Sequence, residues 1–550
     1  MKVLGALALV LVVLGVIGWT FRLQILLRAP GIVMRITDPI GPPRDITWSP
    51  GPERAESPPE RRPPNIVLIL ADDLGFNDVT LHGGAADGSV PTPHIDSIAR
   101  DGVRFENGYA GNAVCAPSRA MILTGRYSTR FGFEFTPTPK GMAVLAPMFH
   151  AGRNPLRRAD VDREAARNMP SFGEMGMSSD EITIAEALRS RGYRTLHVGK
   201  WHLGRTEGFR PRDQGFDESL LMYSGKYLPD DHPEVVNSKQ DFDPIDAFLW
   251  PNLRFGVSFN DGEAFEPDAY LTDYFTEQSV AAIAANRNRP FFLYLAHWAP
   301  HTPLQALRAD YEALAHIQDH TLRVYAAMIR SLDRSVERIL AALEENGLSE
   351  NTLVVFTSDN GGAGYIGLPD INRPYRGWKL TLFEGGTHVP FFARWPARIP
   401  ADARFAAPVS HMDLFTTFAA AADAPLPDDR PIDGVDLLPH VRGETPADPH
   451  PVLFWTEGFY RSVLADGWKL QVSQRPDKEW LFDLRNDPTE QRNVAGAQPE
   501  RLAALRALLE AHAAEQAPPA WPSIIQMPVS IDKTLAEPQH PDDEYIYWPN

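Results

Sequence analysis

Four apolar runs in this chain each end in side chains that bind ions or move protons. Asn65–Leu70 leads into Asp72 and Asp73, and Tyr193–Val198 into Gly199, Lys200, Trp201 and His202. Pro290–Leu295 leads into His297 and His301, and Thr352–Thr357 into Ser358, Asp359, Asn360 and Gly361. Taken singly, each has a plain reading: an acidic pair caps a helix, a lone histidine is a hydrogen-bonded core residue, and Asp-Asn-Gly-Gly is a turn. Together they predict one site at one edge of a sheet. The sole cysteine, Cys115, precedes Pro117 and Gly125 at spacings that suit the first turn and the C-cap of a helix. The helix dipole there favours an anion on residue 115; a buried inert thiol is the plain alternative. One cysteine also excludes an intrachain disulfide and any Cys-based zinc site. His411-Met412-Asp413 reads as structural, with Asp413 capping the helix through Leu414 and Phe418.

Apolarity on both faces makes the four runs strands of a parallel or mixed sheet. Between them, Ile182–Arg191 reads as a helix capped by Asp180 and closed by Gly192. A longer helix ends near Gly347, with Leu332, Val336, Ile339 and Leu343 on one face. This alternation predicts an α/β fold, a large, mostly parallel sheet between helices, with ligands bound beyond the carboxyl ends of the strands. The 550 residues, 43% hydrophobic and 23% charged, suffice for a large core and a second unit. A net charge of −18 argues against nucleic acid as a partner. An anionic substrate needs a local cluster of Arg and Lys.

Cys115-Ala116-Pro117-Ser118-Arg119, followed by Leu123-Thr124-Gly125-Arg126, resembles the signature of type I sulfatases, whose cysteine is oxidised to formylglycine. The second signature of that family resembles Gly192 to His202. Further matches are Thr92–Asp96, Pro300–Pro303, Arg376–Lys379, Glu384–Thr387, Phe482–Leu484 and Asp487-Pro488, so the resemblance runs from Asn65 to about Val494. It implies an alkaline phosphatase-like fold with a smaller C-terminal antiparallel sheet-plus-helix subdomain. It implies that Asp72, Asp73, Asp359 and Asn360 hold one divalent cation together with an oxygen of modified residue 115. Such an all-oxygen set suits Ca²⁺, with Mg²⁺ as the alternative, and not zinc. The resemblance further implies that Arg119, Lys200 and Lys379 offset the charge of a bound sulfate ester. It implies that the aldehyde hydrates to a diol, with Asp359 deprotonating the attacking hydroxyl and Arg119 orienting the diol. On the same resemblance, His301 and Lys379 are expected to protonate the departing alcohol, and His202 to take the second hydroxyl proton to expel sulfate. A formylglycine-generating or maturase enzyme is an implied partner. The expected substrate is a sulfate ester of a carbohydrate or aryl alcohol. The rival readings are a phosphomonoester or phosphonate hydrolase of the same superfamily, and an inactive membrane-tethered binding protein.

The chain divides into 1–28, a signal anchor or signal peptide; 29–64, a Pro-rich linker; 65–425, the catalytic domain; 426–516, the C-terminal subdomain; and 517–550, a tail. Val3–Trp19 carries no charged side chain, and no small-x-small cleavage site follows it. Export is expected: anchored to the membrane with the catalytic domain in the periplasm or outside, or secreted if the segment is cleaved. The proline density of 29–64 predicts an extended stalk, and the Pro- and acid-rich tail is expected to lie on the body. Asp466-Gly467 predicts a hairpin turn, Trp480–Leu484 a strand and Pro499–Ala514 a helix. Loops Phe131–Pro170 and Lys226–Asn260 are expected at the entrance, with Arg130, Arg205, Arg373 and Arg376 as anion contacts. Only nine of the 53 basic residues are Lys, which suggests a GC-rich bacterial source.

Overall fold

The computed structural model describes Trp19 and residues 22–58, 61–143 and 156–550. The apolar run Val3–Trp19 therefore lies almost wholly outside the described residues, as does part of the loop Phe131–Pro170. Among the described residues no helix is long and apolar enough to cross a membrane.

Nine strands form the main sheet: β1 (Asn65–Ala71), β2 (Val103–Phe105), β3 (Arg194–Gly199), β4 (Glu218–Gly225), β5 (Phe255–Phe259), β6 (Phe291–Ala296), β7 (Thr352–Ser358), β8 (Phe391–Arg394) and β9 (Ala403–Phe405). Their order is β9-β2-β8-β7-β1-β6-β3-β4-β5. The central run β7-β1-β6-β3-β4 is parallel, and β8 and β5 join it antiparallel. All seven residues of β1 are buried, as expected of a strand covered on both faces. Val67 and Ile69 join one core cluster, with Leu332, Val336 and Ile339 of the helix His320–Glu345. Ile66, Leu68 and Leu70 join the other, with residues of the helices Cys115–Thr124, Ile184–Ser190 and Asp413–Ala421. The register decides where the polar residues go. Ala71 pairs with Ser358, Leu70 with Ala296, and Gly199 with Ala296. The residues following these strands thus emerge side by side.

A four-stranded antiparallel sheet follows, β10 (Val452–Glu457), β11 (Tyr460–Ala465), β12 (Trp468–Gln474) and β13 (Asp477–Asp483). Its β11–β12 turn has positive φ at both Asp466 and Gly467, the geometry favoured in two-residue hairpins. Val463, Leu470 and Leu481 pack on Leu505 and Leu509 of the helix Pro499–Ala514.

Two expectations are corrected. Residues 29–64 are not a free stalk. The helix α1 (Arg22–Thr37) runs into them, and the chain then lies along the body: Gly41 N–H donates to Ala264 O, Gly51 N–H to Ala285 O, and Trp48 is buried. Proline bars a chain from the interior of a sheet but not from packing across a surface. The tail lies on the body. β14 (Ile525–Ser530) pairs with β15 (Tyr545–Pro549) and with Asp160–Val161, burying Ile546 and Trp548. The helix at 184–190 is capped by Thr183, not Asp180, through a capping box with Glu186.

Candidate active site

The carboxyl end of β1 carries Asp72 and Asp73, both fully desolvated. Asp73 takes a left-handed conformation, φ 61°, and its N–H donates to Asp359 Oδ1 at 3.2 Å. Leu74 N–H donates to Ser358 Oγ at 2.9 Å. These bonds lock the ends of β1 and β7 together. On the other side, Gly199 sits at φ 111°, where a Cβ would approach Ala296 O to 1.9 Å. Only glycine lets β3 turn there and present Lys200.

Cys115 opens the helix Cys115–Thr124, and Gly125 closes it at φ 68°. The Sγ lies 3.5 Å from Asp72 Oδ1 and 3.8 Å from Asp73 Oδ1. One turn on, Arg119 reaches Asp359 Oδ2 at 2.8 Å and Asp72 Oδ2 at 3.2 Å, and donates to Lys200 O at 3.0 Å. Lys200 Nζ stands 2.6 Å from Asp72 Oδ2. Lys379 Nζ stands 2.8 Å from Asp73 Oδ1 and 3.5 Å from His301 Nε2. Three buried carboxylates thus face three buried cations. His301 Nδ1 donates to Thr302 O at 2.6 Å, which turns Nε2 toward Lys379. His202 follows Lys200 at φ 67°, and its Nδ1 is buried with no partner. The residues expected to hold the cation or to take part in the chemistry therefore gather at this one sheet edge.

The electrostatics divide these groups by role. Burial opposes charge on Asp73, but Lys379, His301 and Lys200 outweigh it and hold the carboxyl below its ordinary pKa. Burial and the neighbouring Asp72 raise Asp359 despite Arg119, which suits a base. Lys379 stays charged because Asp73 overcomes its burial. Burial, then Lys200, Arg119 and Lys379, push His202 well below the usual histidine range, leaving it a neutral acceptor. Burial likewise brings His301 to about 3. The Cys115 thiol is raised, by burial first and then by Asp359. The helix terminus therefore does not make it a thiolate, because desolvation and two adjacent carboxylates dominate the dipole.

The donor set fits a hard cation. Asp72, Asp73, Cys115 and His301 each bring a ligand atom within 4.8 Å of one another, and Asn360 Oδ1 is a buried acceptor without a partner. Asn360 Nδ2 meanwhile donates to Asp73 Oδ1 at 2.8 Å, fixing the amide beside the acids. His301 is engaged by Thr302 and Lys379, so the available donors are oxygens, as Ca²⁺ or Mg²⁺ prefers.

The sequence did not point to Tyr365, whose OH donates to Asp73 Oδ2 at 2.9 Å and accepts from Lys379 Nζ at 3.2 Å. The Gly-rich return Gly361–Gly364 was the signal available, since such a turn folds back onto the acid that precedes it. His411, buried, meets Ser118 Oγ and Thr357 Oγ1 and braces the nucleophile helix against β7. Of the four arginines expected to contact anions, Arg130 is committed to Asp433 and Glu515, Arg373 to Asp370, and Arg376 to Asp532 and Glu544. Arg205 donates only to Tyr223 O. The loop Lys226–Asn260 does reach the site: Asp246 Oδ1 accepts from Thr302 Oγ1 at 2.9 Å, and Gly225 O accepts from Trp298, whose ring stacks on His301.

The fold, a mostly parallel sheet with acids, lysines and histidines at its carboxyl edge, is alkaline phosphatase-like. A phosphonate monoester hydrolase of Agrobacterium radiobacter shares the fold, with a TM-score of 0.56 at 19% identity. The sulfatase family model matches residues 64–424. The N-acetylgalactosamine-6-sulfatase of Canis lupus familiaris is 35% identical over 407 residues, covering 72% of this chain and 69% of that one. The crystal structure of Ps i-CgsB with k-i-k-neocarrahexaose superposes with a TM-score of 0.68 at 30% identity, covering 84% of this chain and 95% of that one. The chain belongs to the sulfatase family and is a sulfuric ester hydrolase.

Proposed function

We propose that the protein hydrolyses the sulfate ester of a glycan, using a formylglycine formed from Cys115 and one calcium ion. The observation that carries this reading is the placement of Cys115 Sγ against both Asp72 and Asp73 under Lys200, Lys379 and Arg119, all buried. A thiol raised in pKa by that environment is a poor nucleophile. Its oxidised, hydrated form supplies one hydroxyl to attack sulfur and a second to release the product. Asp72, Asp73, Asp359 and Asn360, with an oxygen of the modified residue 115, would hold the cation, Mg²⁺ being the alternative, and it would polarise the sulfate and the attacking oxygen. Arg119 and Lys200 orient the anion, and Asp359 accepts the first proton. Lys379 holds the proton for the departing alcohol and shares it with His301 Nε2. His202, kept neutral, accepts the last proton. The carbohydrate class rests on relatives named N-acetylgalactosamine-6-sulfatase and on the similar structure solved with k-i-k-neocarrahexaose. A maturase acting on Cys115 and export on the segment Val3–Trp19 complete the reading.

The test is mass spectrometry of the tryptic peptide Phe105–Arg119, expected about 18 Da lighter than its cysteine form because H₂S is replaced by O. Paired rates on sulfated and phosphorylated sugars should favour sulfate. Cys115→Ala should keep its melting temperature and lose turnover. Active enzyme carrying only the thiol would refute the formylglycine.

A further inference from the structure

The helix α1 is amphipathic in the wrong sense for a helix packed on a soluble body. Leu27, Gly31 and Met34, half-buried or buried, form one stripe at helical spacing. That stripe seats on the helix Pro244–Asn252. A Cβ at Gly31 would stand 2.3 Å from Pro251 O, and Asn252 Nδ2 donates to Leu27 O at 2.7 Å. The opposite face should then be polar. Instead Ile25, Leu26, Ile32, Val33 and Ile36 occupy it, between 41% and 76% exposed. Arg28 and Arg35 border this apolar face, and Arg22 leads into it; the helix contains no acid. The chain as a whole carries −18, so this concentration of arginine without acids is a local exception. Immediately before the helix comes the uncharged run Val3–Trp19, ending in an exposed tryptophan.

We infer that α1 lies in the headgroup layer of an anionic bilayer, its apolar face toward the acyl chains and its arginines at the phosphates. The inference rests on the reading of Val3–Trp19 as a membrane segment and goes beyond it. A single anchor leaves the body free to swing, whereas a second, surface-lying contact fixes its orientation. The fixed side is the one bearing the insertion Lys226–Asn260. From α1 the contacts run through the helix Pro244–Asn252 to Asp246, then Thr302, then His301.

The native chain has one cysteine, and it is buried, so single labels can be placed cleanly. Full-length Ile32→Cys, Ile36→Cys and, as a body control, Leu426→Cys carry a nitroxide in vesicles of phosphatidylethanolamine and phosphatidylglycerol. Flotation after alkaline carbonate reads the anchor; collision with oxygen and with a water-soluble nickel chelate reads depth. Labels at 32 and 36 should favour oxygen and lose the chelate effect, while the label at 426 should keep it. Flotation with 32 and 36 as open to the chelate as 426 would overturn the helix inference and leave the anchor standing. No flotation would overturn both. Protection from both reagents that grows with protein density would assign the face to a second copy of the chain and also overturn the inference.

Discussion

Asp73 is the most heavily shared group in the site. Its two oxygens receive Lys379 Nζ, Tyr365 OH and Asn360 Nδ2, with His301 Nε2 at 3.5 Å. These donors fix which lone pairs remain for a cation, so the tyrosine acts through Asp73 and is a positioning residue. Tyr365→Phe keeps the ring packed on Trp378 and removes only the hydroxyl. Partners of a metal ligand of this kind are worth about 10–100-fold in metal affinity or activity. The expected outcome is a divalent-cation half-saturation raised by about that factor, with the melting temperature of the metal-free protein little changed. A variant whose cation dependence matches the parent's would show that Asp73 needs no such brace. Cys115 teaches the complementary lesson. Its place at a helix terminus was legible in the sequence, but its protonation was not, because burial and the carboxylates that raise its pKa come from strands far away in the chain.

At the scale of elements, the legible part was whatever local composition controls. Unbroken apolar runs gave β1, β6 and β7, and the polar residues just past them gave most of the site. What local composition hides is partnership. Proline density suggested an extended stalk at 29–64, yet α1 runs into that segment, tolerating Pro30 while Asn252 caps the nearby Leu27 carbonyl, and in the tail Pro528 sits inside β14 opposite Tyr547. Asp78 is a second case. It is fully buried, accepting from Gly75 N–H and from Tyr325 OH, each at 2.6 Å, while Oδ1 has no partner. Burial raises its pKa from 3.8 to about 8. Below 3.8 both folded and unfolded chains hold the proton; between 3.8 and about 8 only the folded chain does. Stability therefore falls as pH rises through that window, by at most about 1.4 kcal/mol per pH unit. Asp78→Asn retains an acceptor for both donors and cannot ionise. Its melting temperature should exceed the parent's near the top of the window and lose that advantage near the bottom. Parallel pH profiles for the two proteins would mean that Asp78 is ionised throughout.

At the scale of the whole molecule, the C-terminal segments serve as structural braces for the active-site loops. Lys469 of β12 is fully buried between Glu384 at 2.7 Å and Glu490 at 3.2 Å, joining the small sheet to the turn after Lys379. The tail grips the same region from the other side. Trp378 Nε1 donates to Ser530 O at 2.8 Å, Leu535 N–H donates to Gly364 O at 3.2 Å, and Arg376 is clamped by Asp532 and Glu544. Tyr365 and Lys379, the two groups that hold Asp73 from this side, each adjoin one of those contacts in the chain. A chain ending at Gln516 should lose more than the stability of the buried Ile546 and Trp548; its kcat should fall as well, because both loops lose a wall. Since that truncation exposes core and can fail to fold, Trp378→Phe is the sharper probe. It deletes one hydrogen bond and leaves the Ser530 carbonyl buried without its donor, at a cost of about 1–3 kcal/mol. If the tail positions Lys379, this variant should lose kcat at temperatures where circular dichroism reports it fully folded, with little change in KM. A tail that merely covers apolar surface would lower the melting temperature and leave the kcat of the folded fraction at the parent value.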